Sequence, residues 1–174
     1  MVGPVVHRKQ LSVTEADRLL ALNELHVPAV NSIPLSQLQW FVDHADLFGL
    51  YFADTDTAPN SEQTIAGMII AMAPGHDYQS LNYQYFCAQY RSFLYVDRIV
   101  VDDHYQGRGI GQQIYAHLEE VGRQTGVEHL CCEVNLKPPN PSSLRFHERQ
   151  GFSHIASQET EGGAKEVALL VKSL

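Results

Sequence analysis

Val101-Asp102-Asp103-His104-Tyr105-Gln106-Gly107-Arg108-Gly109-Ile110-Gly111 joins two periodic segments. Before it, Ser92 to Val101 is the most strand-like run of the chain. After it, Ile110, Ile114, Leu118 and Val121 recur on one helix face up to about Thr125, and Gly126 closes that helix. A strand, a glycine-rich turn and a helix start therefore follow one another. Such a turn aims backbone N–H groups and the positive end of a helix dipole at one point, which suits a phosphate or pyrophosphate. Glycine lets that backbone approach its ligand closely, and Arg108 can add a charge-assisted contact.

A dinucleotide fingerprint would need a glycine where Gln112 stands, although Glu133 lies where a ribose-binding acid would follow. A phosphate loop of the Gly-Lys-Ser/Thr kind has no counterpart here.

Upstream, Val5 to Lys9 reads as a short strand. Ser12-Val13-Thr14-Glu15 is a capping-box pattern that opens a helix ended by Pro28. A second helix is expected from Pro34 to about Ala45. Leu47 to Ala53 and Thr64 to Ala73 read as a hairpin across the turn-rich residues 54–60. Residues 78–95 then hold seven of the sixteen aromatics, and Pro74 to Arg91 reads as a long loop. Downstream come a strand over Glu128 to Val134, a short helix opened by Pro141, and a hairpin about Gly162-Gly163. This order predicts an α/β (α+β) chain: a central mixed, mostly antiparallel sheet with flanking helices.

The 174 residues predict one domain over 1–174, at ~150 residues per domain. The formal charge of −8 argues against nucleic acid and against an anionic membrane as partners. Cys87, Cys131 and Cys132 make a poor disulfide framework, which predicts a reducing, cytoplasmic setting. No run approaches the ~18 apolar residues of a membrane span. The nine His residues show no His-x-His or His-Glu-x-x-His cluster, so no metal is expected.

Gln106-x-x-Gly109-x-Gly111, after Ile99-Val100-Val101, resembles the acetyl-CoA signature of the GCN5-related N-acetyltransferases (GNAT). Asn140-Pro141-Ser142-Ser143-Leu144-Arg145-Phe146-His147-Glu148-Arg149-Gln150-Gly151-Phe152 resembles that family's later motif. The strong match covers residues 92–157, and the dinucleotide reading has no account of the second motif. The resemblance implies a GNAT-like fold of about seven strands with a splayed central strand pair. It implies acetyl-CoA as co-substrate, held by the backbone of Ile99, Val100 and Val101 along the pantetheine. The amides of Gln106, Gly107, Arg108, Gly109, Ile110, Gly111 and Gln112 would take the pyrophosphate. Asn140, Ser143 and Phe146 would line the cofactor's other side.

The activity implied is direct transfer of acetyl to a primary amine of a small molecule or peptide. The alternative is a non-catalytic acyl-CoA sensor, because His147 stands where the family commonly carries a tyrosine. An alkylammonium with a pKa near ~10 is neutral in only about one molecule in a thousand at pH 7, so a base is needed. Glu133 matches the family's strand glutamate and is favoured over Asp97, which could instead pair with Arg98. His147 could be the general acid, a cofactor contact or a packing residue. The aromatic segment is expected to wall the acceptor pocket, with Tyr83, Tyr85 and Tyr95 as substrate-binding candidates; a satellite cluster or a dimer contact is the other reading. A homodimer stays open.

Overall fold

The computed structural model describes residues 6–53 and 64–174. In chain order the elements are β1 (Val6–His7), α1 (Val13–Leu25), α2 (Leu35–His44), β2 (Leu47–Ala53), β3 (Thr64–Met72), α3 (Leu81–Gln89), β4 (Phe93–Val101), α4 (Ile110–Thr125), β5 (His129–Lys137), α5 (Pro141–Arg149), β6 (Ser153–Thr160) and β7 (Lys165–Ser173). The seven strands form one sheet in the order β1-β2-β3-β4-β5-β7-β6. The pairs β1–β2, β2–β3, β5–β7 and β6–β7 are antiparallel, and β4–β5 is parallel. This is the mixed, mostly antiparallel sheet that the sequence predicts. The turn expected at residues 54–60 lies outside the described residues.

The chain divides into two compact units, 1–71 with 98–117, and 72–97 with 118–174. In the first unit, α1 starts where the capping box places it. Ser12 accepts from the Glu15 amide, and Glu15 accepts from the Ser12 amide at 2.9 Å. Leu19, Leu22, Leu38 and Phe41 turn inward, and Leu50, Met68, Ile70, Val100 and Ile114 complete that core. Burying such side chains contributes about 1.5–3 kcal/mol each, so the apolar periodicity decides which face of α1 and α2 packs. Gly67 marks a close approach of β3 to β4: a Cβ there would sit 2.8 Å from the Val100 carbonyl oxygen. Arg98 is buried in this unit. It donates to Asn23 Oδ1 at 2.6 Å and to the Asn31 carbonyl at 3.3 Å, with Phe41 beneath its guanidinium. Arg98 thus has a seat on Asn23 and Asn31, and strand alternation sends the Asp97 and Arg98 side chains to opposite faces.

The second unit corrects one expectation. Residues 74–91 are not a plain loop, since they contain α3, whose N-cap Ser80 accepts from the Tyr83 amide. Its Tyr83 and Phe86 are buried against Phe93 and Tyr95, with ring centroids 5.6–6.3 Å apart. Aromatics favour helices weakly, so packing on β4, not propensity, stabilises this one. Leu118, Leu130, Cys131, Phe152, Val167 and Leu169 fill the rest of that core.

Candidate active site

In the first unit, β4 ends in the glycine loop. Asp102 caps a single 3-10 turn, Asp103–Tyr105, by accepting from the His104 amide. Gln106 then ties the loop together: its side chain donates to the Val101 carbonyl at 3.1 Å and to Asp103 at 2.7 Å. The Gln106 amide donates to the Asp103 carbonyl, so Gln106 shapes the loop. Gly107 and Gly109 have φ of +73° and +79°, a region that side chains avoid. Around Gly107 the space that a Cβ would fill is open. The first amides of α4 have no intrahelical acceptor by helix geometry, and its dipole favours an anion there. The open space at Gly107, the two positive-φ glycines and a helix start fit the diphosphate of acetyl-CoA. Arg108 lies over the Tyr105 ring at 5.2 Å. Tyr51 donates to Gln113 and steadies the first turn of α4.

In the second unit, β4 and β5 pair over three rungs: Phe93 with His129, Leu94 with Leu130, and Tyr95 with Cys131. Both strands are nine residues long and continue beyond that ladder. Asp97 and Glu133 each lie two residues past the last rung, on the face that Tyr95 shares. The Tyr95 hydroxyl donates to Glu133 Oε1 at 3.0 Å. The Tyr78 hydroxyl donates to Asp97 Oδ1. Tyr95 is fully buried; that burial first, and then the Glu133, Asp97 and Tyr78 charges, push its phenol well above the ordinary range. It is thus a neutral donor at pH 7. Asp97, Glu133 and Tyr78 are half-buried as residues, while Glu133 Oε2 itself has almost no exposed surface.

Tyr83 holds this wall. Its hydroxyl donates to the Ala73 carbonyl at 2.7 Å and accepts from the His76 amide at 3.0 Å, pinning the turn that carries Tyr78. Burial pushes its phenol up to about 12. Of the three tyrosines expected at the acceptor, Tyr83 and Tyr95 are buried and Tyr85 is half-buried on α3. Tyr78 belongs to the aromatic segment expected to wall the acceptor pocket, and its bond to Asp97 sets it beside the two carboxylates.

The later motif forms α5. Asn140 caps it by accepting from the Ser143 amide at 3.2 Å, and Pro141 takes the first turn. Ser143 and Phe146 are half-buried. His147 is buried, with Phe146 and Phe152 edge-on to its ring. Its Nδ1 lies 2.8 Å from the Ser143 carbonyl, which can only accept, so Nδ1 carries the proton. Burial pushes its pKa down, against the raising effect of that bond, so the ring is neutral at pH 7. Among the described residues no group of three or more His, Cys, Asp or Glu could hold a metal ion. No helix of the described residues is long and apolar enough to cross a membrane.

Comparison with known proteins gives the same assignment from outside the chain. A sequence model of the Acetyltransferase (GNAT) family matches residues 19–152. "Acetyltransferase Atu2258" of Agrobacterium fabrum (strain C58 / ATCC 33970) is 32% identical over 82 residues, 47% of this chain; the match spans 57% of that protein's length. The crystal structure of Ard1 from Thermoplasma volcanium superposes with a TM-score of 0.75 at 11% identity, over 100% of this chain and 99% of that one. A chain of the NatC complex bound to Gag peptide and CoA gives 0.69 at 13% identity, over 99% of each. The fold, the glycine loop and the match over residues 19–152 agree, and the chain belongs to the GNAT acetyltransferase family, whose acetyl donor is acetyl-CoA.

Proposed function

We propose that the chain is an N-acetyltransferase that moves acetyl from acetyl-CoA to a primary amine of a small molecule or peptide by direct transfer, with Glu133 as general base. The observation that carries this reading is the Tyr95–Glu133 hydrogen bond, one same-face position beyond the last β4–β5 rung. That bond holds one carboxylate oxygen of Glu133 in a fixed orientation, which supports its reading as the base.

Ile99, Val100 and Val101 would pair with the pantetheine amides as an added strand, and the amides from Gly107 to Gln112 would hold the diphosphate. Asn140, Ser143 and Phe146 would flank the cofactor at the start of α5. Glu133 takes the first proton from the bound ammonium, directly or through water. The nitrogen lone pair then forms the N–C bond as the C–S bond breaks. The second proton leaves the nitrogen and one is delivered to the departing sulfur. The net change is an amide and a free thiol. Neutral His147, with its proton bound to the Ser143 carbonyl, suits holding α5 and its cofactor edge better than supplying that last proton. Free thiols at Cys87, Cys131 and Cys132 suit a reducing cytoplasm. We take residues 1–174 to act as one functional domain.

The test is release of CoA thiol from acetyl-CoA against a panel of primary amines, with the product identified by mass. Acetylated amine supports the reading. Acetyl-CoA binding without thiol release from any amine would instead favour the acyl-CoA sensor.

A further inference from the structure

Two carboxylates, Asp102 and Asp103, directly precede the glycine loop, although negative neighbours disfavour an anion. In the same unit, His26 stands against them. It is the C-cap of α1, where the last carbonyls of a helix favour a cation, and the last turn of α1 holds no basic residue. Its Nδ1 lies 2.9 Å from the Leu22 carbonyl, which can only accept, so Nδ1 carries a proton. Its Nε2 has almost no exposed surface and no hydrogen-bond partner, yet lies 3.5 Å from Asp103 Oδ1. In a neutral ring that nitrogen is a bare acceptor facing a carboxylate. Only the imidazolium has a donor for each side. Asp103 Oδ1 is also the oxygen that accepts from the Gln106 side chain at 2.7 Å, and that side chain donates to the Val101 carbonyl at the end of β4 as well. One carboxylate oxygen therefore stands between the end of α1 and the turn that opens the glycine loop.

We propose that His26 is a positioning residue for acetyl-CoA: as the imidazolium it closes on Asp103 and sets the glycine loop, so that binding of the acetyl donor takes up a proton. This rests on the reading of the glycine loop as the holder of the diphosphate, and adds what sets that loop. Closing the 3.5 Å contact to hydrogen-bond length gives a charge-assisted bond. Asp103 Oδ1 is then held by two donors, His26 Nε2 and the Gln106 side chain, and the turn before Gly107 keeps one shape. The added charge also offsets Asp102 and Asp103 beside the anion site. Of the neighbouring charged groups, His104 meets Asp102 through its amide and its ring, each at 2.9 Å, and Glu24 on α1 accepts from Ser32. Burial acts to raise the Asp102 pKa, but the His104 bonds, then the His104 and His26 charges, bring it below the ordinary range, so Asp102 is an anion at pH 6 and above. Linkage is reciprocal: if the closed contact favours acetyl-CoA, acetyl-CoA favours the proton on His26.

The experiment measures the dissociation constant of acetyl-CoA at pH 6 and pH 8 for the full wild-type chain, His26→Asn, Asp103→Asn and Gly107→Ala. His26→Asn keeps a donor for the Leu22 carbonyl and removes Nε2. Asp103→Asn keeps an acceptor for Gln106 and removes the charge. Each should weaken acetyl-CoA by about threefold at pH 6, the size of a partly exposed ion pair, and change little at pH 8. The double variant should lose no more than either single one. Groups elsewhere, the phosphates of acetyl-CoA included, titrate alike with every chain, so the ratio of variant to wild type isolates the His26 contact. Thermal stabilisation by acetyl-CoA at pH 8 shows that the variants fold. A ratio that is the same at both pH values overturns the inference and leaves His26 a packing residue. So does binding by His26→Asn that equals wild type at pH 6. If either result comes with weakened binding by Gly107→Ala, the diphosphate loop stands without this contact. If Gly107→Ala binds acetyl-CoA as wild type does, the loop reading falls, and this inference with it.

Discussion

Tyr95, on the last paired rung of β4 with β5, donates its hydroxyl to Glu133 Oε1 at 3.0 Å. The phenol is buried and neutral, so it orients the carboxylate without neutralising it. Glu133→Gln keeps the shape and removes the carboxylate proposed as the base. Its kcat should fall by about 10²- to 10³-fold at pH 7, with acetyl-CoA affinity little changed. Tyr95→Phe should give a smaller loss, since Glu133 then keeps its charge but not its orientation. Steady-state thiol release and CoA titration check both.

Gly67 and Gly107 should separate stability from binding. A Cβ at Gly67 meets the Val100 carbonyl at 2.8 Å, so Gly67→Ala forces β3 and β4 apart. It should destabilise the fold by about 1–3 kcal/mol in chemical denaturation. Gly107 has open space but a φ of +73°, so Gly107→Ala costs about 1 kcal/mol of backbone strain. Its larger effect should be on acetyl-CoA, whose dissociation constant should rise at least tenfold as the loop loses its close approach.

Tyr83→Phe removes a donor to Ala73 and an acceptor for the His76 amide at once. Leaving such groups unmatched typically costs about 1–3 kcal/mol. We expect a loss of that size in denaturant, together with faster amide exchange at residues 73–78. Tyr78→Phe should cost less, because Tyr78 is half-buried and solvent can replace its hydroxyl.

Two histidines set an acid-side slope. Burial lowers the pKa of His147, and burial with the His7 charge lowers that of His117. Their folded-state values lie below the ordinary value of about 6.5, so the unfolded chain binds protons first as pH falls. Stability from these groups is full above that value and is lost as pH drops through it toward the folded-state values. Each can contribute at most about 1.4 kcal/mol per pH unit in that window. Equilibrium unfolding between pH 7.5 and 5 should show the slope, and His147→Asn should reduce it.

Much of this was legible in the chain itself. The strand, glycine loop and α4 follow from periodicity and glycine placement. The Ser12–Glu15 box, Pro141 and Gly126 punctuate helices through local chemistry that acts over a few residues. The α3 helix was not legible, because its Tyr and Phe residues are weak helix formers and its stability comes from Tyr95 and Phe93 on another element. The Arg98 seat was also hidden: Asn23 and Asn31 lie far from Arg98 along the chain, while Asp97 is adjacent yet points the other way. Gln106 fits the motif by spacing, but that its amide is spent on Asp103 depends on the 3-10 turn. Tyr78 meets Asp97 across 19 positions of the chain, a through-space relationship with no sequence period.

The most direct test of the central claim is the pH dependence of acetylation of the best primary amine of the panel by wild-type and Glu133→Gln chains between pH 7 and 9. The neutral fraction of an alkyl amine rises about tenfold per pH unit in this range. If Glu133 is the base, the variant's rate should climb by about that factor per unit while the wild-type profile flattens, so the gap closes at high pH. A gap that is absent at pH 7, or that keeps the same size from pH 7 to 9, would contradict it.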